Sequence, residues 1–134
     1  MRKYMSIKQK IGIIAEYNPF HNGHLYQIEM IKKQFDVDLI VAVISGDYVQ
    51  RGEISSIDKW QKTGIILQNG VDLVVELPLY FSIQNAEVFS SQSVKILEYL
   101  EIDMQIFGAE EENIIRLESI VNIQETDNYQ LSVK

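Results

Sequence analysis

Short apolar segments alternate with longer amphipathic segments along the chain. The first, KIGIIAEY at 10–17, is nearly continuous in apolar residues and rich in isoleucine, which is typical of a strand buried on both faces of a sheet. It ends at Asn18-Pro19, a strong turn signal. Segments of the same kind predict three further strands, at 38–45, 71–78 and 104–107.

The intervening segments carry apolar residues at helical spacing. In the first of them, Leu25, Ile28, Ile31 and Phe35 lie three or four positions apart, and Asn22 precedes them as a candidate N-cap. Helices are predicted on this basis at about 23–35, 57–68, 85–100 and 110–121. The alternation of strand and helix predicts an α/β fold, a Rossmann-like doubly wound parallel sheet of four to five strands with helices on both faces.

The length of 134 residues is that of one domain of ordinary size. The predicted elements occupy residues 10–121, preceded by an N-terminal extension at 1–9 and followed by a stretch at 122–134 without clear periodicity. A doubly wound domain usually has five or six strands. We therefore expect 122–134 to be a tail or the start of a further part of a longer protein.

Composition narrows the class of protein. The chain has no cysteine, which excludes disulfides and thiolate metal sites. The longest apolar runs are far shorter than the ~20 residues that a membrane-spanning helix needs. The basic N-terminus is not followed by the apolar region of a signal peptide. We therefore expect a cytoplasmic protein without a membrane segment.

The net charge of −7 is distributed unevenly. Residues 1–67 hold nine Lys and Arg against seven Asp and Glu, whereas residues 68–134 hold three against twelve. A nucleic-acid-binding domain usually carries a basic face, which the second half of the chain cannot supply. We expect any nucleic-acid partner to contact mainly parts outside this chain.

The strongest candidate for chemistry follows the first predicted strand. Both histidines of the chain lie there, in His21-Asn22-Gly23-His24, at the predicted start of a helix. A helix N-terminus presents free N–H groups and a partial positive charge, and therefore favours anions such as phosphate. Gly23 leaves room for a close approach, and two imidazoles can stabilise charge that develops on a phosphate during transfer. Two exposed or merely capping histidines are the simpler alternative.

The same residues match the HxGH signature of the nucleotidyltransferase superfamily, whose members attack the α-phosphate of a nucleotide and release pyrophosphate. The match extends over about residues 10–112. In order and spacing the chain resembles the tRNA(Met) cytidine acetate ligase family at GIIAEYNPFHNGHLYQI (12–28), SGDYVQRGE (45–53), DKW (58–60), NGVDLVVELP (69–78), SIQNAEVF (82–89) and FGAE (107–110).

This resemblance implies an enzyme that activates acetate with ATP to acetyl-adenylate and passes the acetyl group to N4 of the wobble cytidine of elongator tRNA(Met). It implies that His21 and His24 are catalytic, holding the phosphates and stabilising the transition state. It implies no metal site built by the protein, so that Mg²⁺ arrives with the triphosphate. The ATP-binding residues it implies are Ile14, Ala15, Glu16, Tyr17, Asn18, Pro19, Phe20, His21, Asn22, Gly23, His24, Leu25, Tyr26, Gln27 and Gly108.

Two departures from the family pattern leave alternatives open. A second phosphate-binding signature is not found, since Ser91–Lys95 has the residue types but lies within a predicted helix. Ala109 stands where the family pattern has Ser. The alternatives are another HxGH nucleotidyltransferase acting on a phosphorylated small molecule, or a shortened nucleotide-binding domain without activity.

Each of the other polar and aromatic residues near the strand ends has a functional and a structural interpretation. Arg51 and Lys59 are equally well explained as contacts to phosphate or tRNA and as solvated surface residues. Glu76 is predicted to be structural, capping the loop after the third strand. Trp60 is predicted to pack in the core. One of three aromatic residues around the histidine motif, Tyr17, Phe20 or Tyr26, is predicted to line the ligand pocket, and core packing is an equal alternative for Phe20.

Overall fold

The computed structural model describes residues 7–108. Strands and helices alternate along this part of the chain. In chain order the elements are β1 (Gln9–Ala15), α1 (Asn22–Gln34), β2 (Val37–Ile44), a 3₁₀ turn (Gln50–Gly52), α2 (Lys59–Gln68), β3 (Leu73–Glu76), α3 (Leu79–Ser82), α4 (Ala86–Tyr99) and β4 (Met104–Gln105).

The strands form one parallel sheet in the order β3-β2-β1-β4. The central pair, β1 and β2, is in register from Ile11 opposite Ile40 to Ala15 opposite Ile44. The helices α1 and α2 lead the chain outward from β1 to β3, and α4 returns it to the other side of β1. The predicted α/β fold with a doubly wound parallel sheet is therefore confirmed.

The core consists of two apolar clusters, one on each face of the sheet. One contains Ile28 of α1 and Ile66 of α2, and the other contains Phe89 and Leu97 of α4. Successive residues of β2 alternate between the clusters, so that residues 40–44 are all buried. Burial on both faces explains why this strand is a continuous apolar run in the sequence.

Side-chain caps set the starts of the longer helices. The Asp58 carboxylate accepts hydrogen bonds from the backbone N–H groups of Trp60 and Gln61 at the start of α2, and Asn85 caps α4 through the N–H of Val88. The N-cap of α1 is His21 rather than Asn22 as expected, and Asn22 is the first residue inside the helix. An imidazole nitrogen fills the capping role that the sequence pattern gives to asparagine.

Some sequence predictions need correction or lie outside the described residues. Trp60 is 76% exposed, so its predicted place in the core is wrong. It lies on the outer side of α2, while Lys62 and Ile66 face the sheet. The short helix α3 was not predicted, because four residues are too few for a helical pattern. The helix predicted at 110–121 falls outside residues 7–108. Within residues 7–108, no helix has both the length and the apolar character to cross a membrane.

Candidate active site

A cleft of about 810 Å³ lies at the carboxyl edge of the sheet, between β1 and β4. The chain leaves β1 toward one face of the sheet and reaches β4 from the other, so the winding reverses here. In open α/β sheets this reversal point is where ligands bind. The wall is formed by Ile14, Ala15, His21, Gly23, His24, Tyr26, Gln27, Met30, Ile31, Gln34, Phe35, Ile106, Phe107 and Gly108.

His21 and His24 form a reciprocal cap at the start of α1. The Nδ1 atom of His21 accepts a hydrogen bond from the backbone N–H of Gly23, with 3.1 Å between the nitrogens. The Nδ1 atom of His24 accepts from the backbone N–H of His21, also at 3.1 Å. The two rings stack with their centroids 3.7 Å apart. The three-residue spacing thus brings both imidazoles together on one wall of the cleft.

These hydrogen bonds determine where the imidazole protons lie. A ring nitrogen that accepts a hydrogen bond carries no proton, so each neutral ring has its proton on Nε2. Burial lowers the pKa of His24, and the charge of a protonated His21 lowers it further. The cap therefore holds two neutral imidazoles whose Nε2–H groups are available as hydrogen-bond donors.

Gly23 is required by the His21 ring. A Cβ atom at this position would lie 2.9 Å from Cε1 and 3.1 Å from Nδ1 of His21. Any side chain would therefore push the ring away from its capping position. The sequence suggested space for a phosphate at Gly23, and the structure shows that the nearest occupant of that space is the imidazole.

Aromatic side chains support the His24 ring from behind. Tyr17 meets it edge-on with centroids 4.7 Å apart, and Phe20 lies 5.4 Å away. Tyr17 is fully buried, which raises the pKa of its hydroxyl to about 12, and its oxygen has no hydrogen-bond partner among residues 7–108. Tyr17 is thus a core residue that contacts His24, and of the three aromatic residues considered around the motif, Tyr26 is the one on the cleft wall.

The polar residues between β1 and α1 turn away from the cleft. The Glu16 carboxylate accepts a hydrogen bond from the backbone N–H of Gln50 at 3.2 Å. The Asn18 side-chain oxygen accepts from the backbone N–H and the hydroxyl of Ser56, at 2.7 and 2.6 Å, and from the hydroxyl of Ser55 at 3.4 Å. These side chains join the β1–α1 connection (residues 16–21) to the β2–α2 connection (residues 45–58).

The structure divides the predicted ATP-binding residues into two groups. Those on the cleft wall are Ile14, Ala15, His21, Gly23, His24, Tyr26, Gln27 and Gly108. Those whose side chains are not part of the wall are Glu16, Tyr17, Asn18, Pro19, Phe20, Asn22 and Leu25. Sequence reasoning missed Met30, Ile31, Gln34 and Phe35, although their helical spacing from Gln27 places them along one side of α1. It also missed Ile106 and Phe107, which follow the two-residue strand β4.

The remaining candidates among residues 7–108 do not line the cleft. The Lys59 ammonium is 3.0 Å from the Glu76 carboxylate, and this pairing raises the pKa of Lys59. The partner of Glu76 is thus the Lys59 side chain rather than the next loop, and its structural role stays a prediction. Arg51 is exposed in the 3₁₀ turn, with a φ of 62°. Ser91–Lys95 lies within α4, and Ala109 is outside the described residues.

The sequence matches a known protein family over nearly its whole length. The family model described as HIGH Nucleotidyl Transferase matches residues 8–134, nearly the whole chain. The chain belongs to this nucleotidyl transferase family. The match includes His21 and His24, the histidines that cap α1.

Similar members of the family are tRNA(Met) cytidine acetate ligases. The protein of that name from Leuconostoc mesenteroides is 51% identical over 76% of this chain, which corresponds to 26% of the relative. The one from Fusobacterium nucleatum is 46% identical over 92% of this chain and 31% of the relative. The crystal structure of Thermotoga maritima TmcAL bound with alpha-thio ATP has a TM-score of 0.79 and 38% identity, covering 91% of this chain and 30% of that one. The chain thus spans about a quarter to a third of the length of these relatives.

A metal site built by the nucleotidyl transferase domain itself has no support among residues 7–108. No group of three or more His, Asp or Glu side chains there is placed to hold a metal ion. The side chains of the cleft wall offer imidazole, amide, phenol and apolar groups, none of which is the carboxylate ligand that Mg²⁺ prefers.

Proposed function

We propose that this chain is the ATP-binding part of a ligase that activates acetate as acetyl-adenylate and transfers the acetyl group to N4 of the wobble cytidine of elongator tRNA(Met). The observation that carries the proposal is the pair of neutral imidazoles at the start of α1, facing a cleft at the reversal point of the sheet. The volume of about 810 Å³ is in the range of small-molecule sites.

The chemistry of the two ends of the cleft suggests how ATP lies in it. The Nε2–H groups of His21 and His24 and the partial positive charge at the start of α1 suit the triphosphate. The apolar end at Ile106 and Phe107, next to Gly108, suits the flat faces of adenine. The ATP analogue bound to the similar Thermotoga maritima protein supports ATP as the ligand.

In the proposed first step, an acetate oxygen attacks the α-phosphorus and the bond to the bridging oxygen of the β-phosphate breaks. Acetyl-adenylate forms, and pyrophosphate carries away the electron pair of the broken bond. Negative charge grows on the phosphate oxygens during this step, and the Nε2–H donors of His21 and His24 stabilise it. Because both donors are fixed by the cap before ATP arrives, no reorganisation is needed during the reaction.

The remaining components follow from the same proposal. Mg²⁺ bound to the triphosphate would neutralise part of its charge, and no side chain of this chain is needed to hold the ion. The domain that binds ATP spans 10–121, and tRNA contacts mainly parts of the protein outside this chain. The enzyme works in the cytoplasm, where ATP and tRNA are present.

Calorimetric titration with Mg-ATP tests the proposal on the chain itself. We expect the parent protein to bind and His24→Ala to lose binding, because the variant removes one phosphate donor and the cap on the His21 N–H. Tyr99→Ala is the control, since Tyr99 is 87% exposed on α4, on the other face of the sheet, and its variant is expected to bind like the parent. Full affinity in a folded His24→Ala protein would contradict the proposal.

Exchange of labelled pyrophosphate into ATP separates the proposed reaction from the alternatives. For an acetate ligase, a protein with the full length of the tRNA(Met) cytidine acetate ligase relatives is expected to exchange pyrophosphate into ATP only when acetate is present. Exchange that requires a phosphorylated small molecule instead would indicate another nucleotidyltransferase. Binding without any exchange would indicate a nucleotide-binding domain without activity.

A further inference from the structure

A buried lysine holds the carboxyl ends of the two central strands together. Lys62 of α2 is fully buried, with 0% of its surface exposed. Its ammonium group donates to the backbone carbonyls of Glu16 at 3.1 Å, Ser45 at 3.2 Å and Gly46 at 3.0 Å. Three donors therefore meet three acceptors, and all hydrogen-bonding capacity of the ammonium is used.

These carbonyls lie where the chain leaves the sheet. Glu16 follows β1, and Ser45 and Gly46 follow β2, so no neighbouring strand supplies N–H groups to them. Ser45 and Gly46 are buried, and a buried carbonyl without a donor is destabilising. The lysine supplies these donors from a helix that packs on the sheet behind the strand ends.

The charge of Lys62 lies in a mixed environment. Burial lowers the pKa of the ammonium, and the carboxylates of Glu16, Asp47 and Glu76 act in the opposite direction with smaller effect. Among residues 7–108, the ion pair within 4.0 Å is between Lys59 and Glu76, so the close partners of Lys62 are the backbone carbonyls.

The Glu16 carbonyl lies directly before the chain segment that leads to the histidine motif. Tyr17, the next residue, has a φ of 49°, and its ring supports the edge of His24. The hydroxyl of Ser45 also donates to the Glu16 carbonyl, at 3.5 Å. A rotation of the Glu16 peptide would move the Tyr17 ring and with it the support of the imidazole pair.

We propose that Lys62 is a positioning residue for the imidazole pair: by binding the carbonyls of Glu16, Ser45 and Gly46, it fixes the start of the β1–α1 connection so that His21 and His24 cap α1 and face the cleft. Only the link between this geometry and ATP binding rests on the proposed function. The geometry itself is testable without ATP.

The test compares the imidazoles in three ¹⁵N-labelled variants of the chain. Lys62→Met keeps the length of the side chain and removes its donors, and Lys62→Arg restores charge and donors. Phe89→Ala is the stability control, because it removes buried apolar surface on the α4 face of the sheet without touching the β1–α1 connection. Long-range ¹H–¹⁵N spectra report the tautomer of each histidine, and calorimetry with Mg-ATP reports binding.

In the parent protein both rings are expected in the Nε2–H form, as their capping bonds require. We expect Lys62→Met to lose this fixed pattern and about tenfold or more in ATP affinity, about the effect of one hydrogen bond to a charged phosphate. Lys62→Arg is expected to restore both, and Phe89→Ala to change neither. A folded Lys62→Met protein with parental imidazole spectra would overturn the proposal.

Two other outcomes can be told apart from this result: a Lys62 variant that does not fold, and a parent protein that does not bind ATP. If Lys62→Met gives no dispersed spectrum, the same spectra are recorded on Lys62→Gln, whose side chain is one atom shorter and has two N–H donors for the three carbonyls. We expect the fixed Nε2–H pattern to be lost there too, and parental imidazole spectra would overturn the proposal. If the parent protein fails to bind ATP, the proposed function fails, while the spectra still decide whether Lys62 positions the histidines.

Discussion

The β1–α1 and β2–α2 connections leave the same edge of the sheet from adjacent strands, yet they do different work. The first carries His21 and His24 to the cleft. The second packs against the first and is held by hydrogen bonds of its own. The backbone carbonyl of Asp47 accepts from the N–H of Ser55, and its carboxylate accepts from the N–H of Lys59. One connection presents donors to a ligand, and the other holds the first in place.

The contrast shows that a specific sequence motif need not touch the ligand. SGDYVQRGE and DKW are as distinctive as the histidine motif, but residues 45–60 do not line the cleft between β1 and β4. Their side chains and backbone bind Glu16 and Asn18 instead. Precise placement of donors needs a supporting layer, and here that layer is encoded about 30 residues downstream of the site.

The largest effect is expected from disturbing the first connection directly, with Gly23→Ala. The new Cβ would displace the His21 ring, so we expect ATP affinity to fall about tenfold or more through loss of a phosphate donor. Stability should change by less than about 1 kcal/mol, because alanine favours the helix while the cap is lost. Calorimetry and urea unfolding measure the two effects. Unchanged affinity would mean that the His21 ring does not contribute to binding.

Asn18→Ala is expected to lower the affinity for ATP less than Gly23→Ala does, but to lower the stability of the fold more. This change removes the acceptor for the Ser56 N–H and for the hydroxyls of Ser55 and Ser56. We expect the free energy of unfolding to fall by about 1–2 kcal/mol, since a part-buried hydrogen-bond cluster loses its centre. Urea unfolding measures this loss.

Asn69→Ala is the matched control for Asn18→Ala. Asn69 makes one exposed side-chain bond, to the carbonyl of Ile65 at the end of α2. Its removal is expected to cost less than half as much as that of Asn18. Equal losses in the two variants would show that the β2–α2 connection does not hold the β1–α1 connection.

Lowering the pH should weaken the first connection without touching the second. The pKa of His24 is lowered in the folded protein from its ordinary value of 6.5, so the unfolded chain binds more protons as the pH falls below that value. The contribution of neutral His24 to stability is therefore complete above about pH 6.5 and is lost as the pH falls through the lower pKa of the folded state. Urea unfolding of the parent and His24→Ala proteins between pH 7.5 and 5 should show a smaller decline for the variant. Parallel curves would contradict the assigned cap.

The sequence predicts the fold well because its strands and helices are local patterns, most clearly in the central strands β1 and β2. A strand buried on both faces is a continuous apolar run, and a helix that covers it repeats every three or four residues. The histidine motif was equally visible. The roles of Glu16 and Asn18 were not, because their partners Gln50 and Ser56 are more than 30 positions away. Trp60 was misplaced because an apolar residue in a helical segment does not reveal which side of the helix faces the sheet.

The smallest expected effect comes from Gly64→Ala, in the helix that carries Lys62. A Cβ at Gly64 would meet no atom within 4 Å, and the residue lies inside α2. Because glycine lowers helix stability relative to alanine, we expect the substitution to raise the free energy of unfolding by about 0.5–1 kcal/mol. ATP affinity should not change, since the strand ends and the imidazole pair keep their geometry. A gain in stability together with a changed affinity for ATP would mean that α2 influences the cleft. The β2–α2 connection would then affect ATP binding more directly than its contacts indicate.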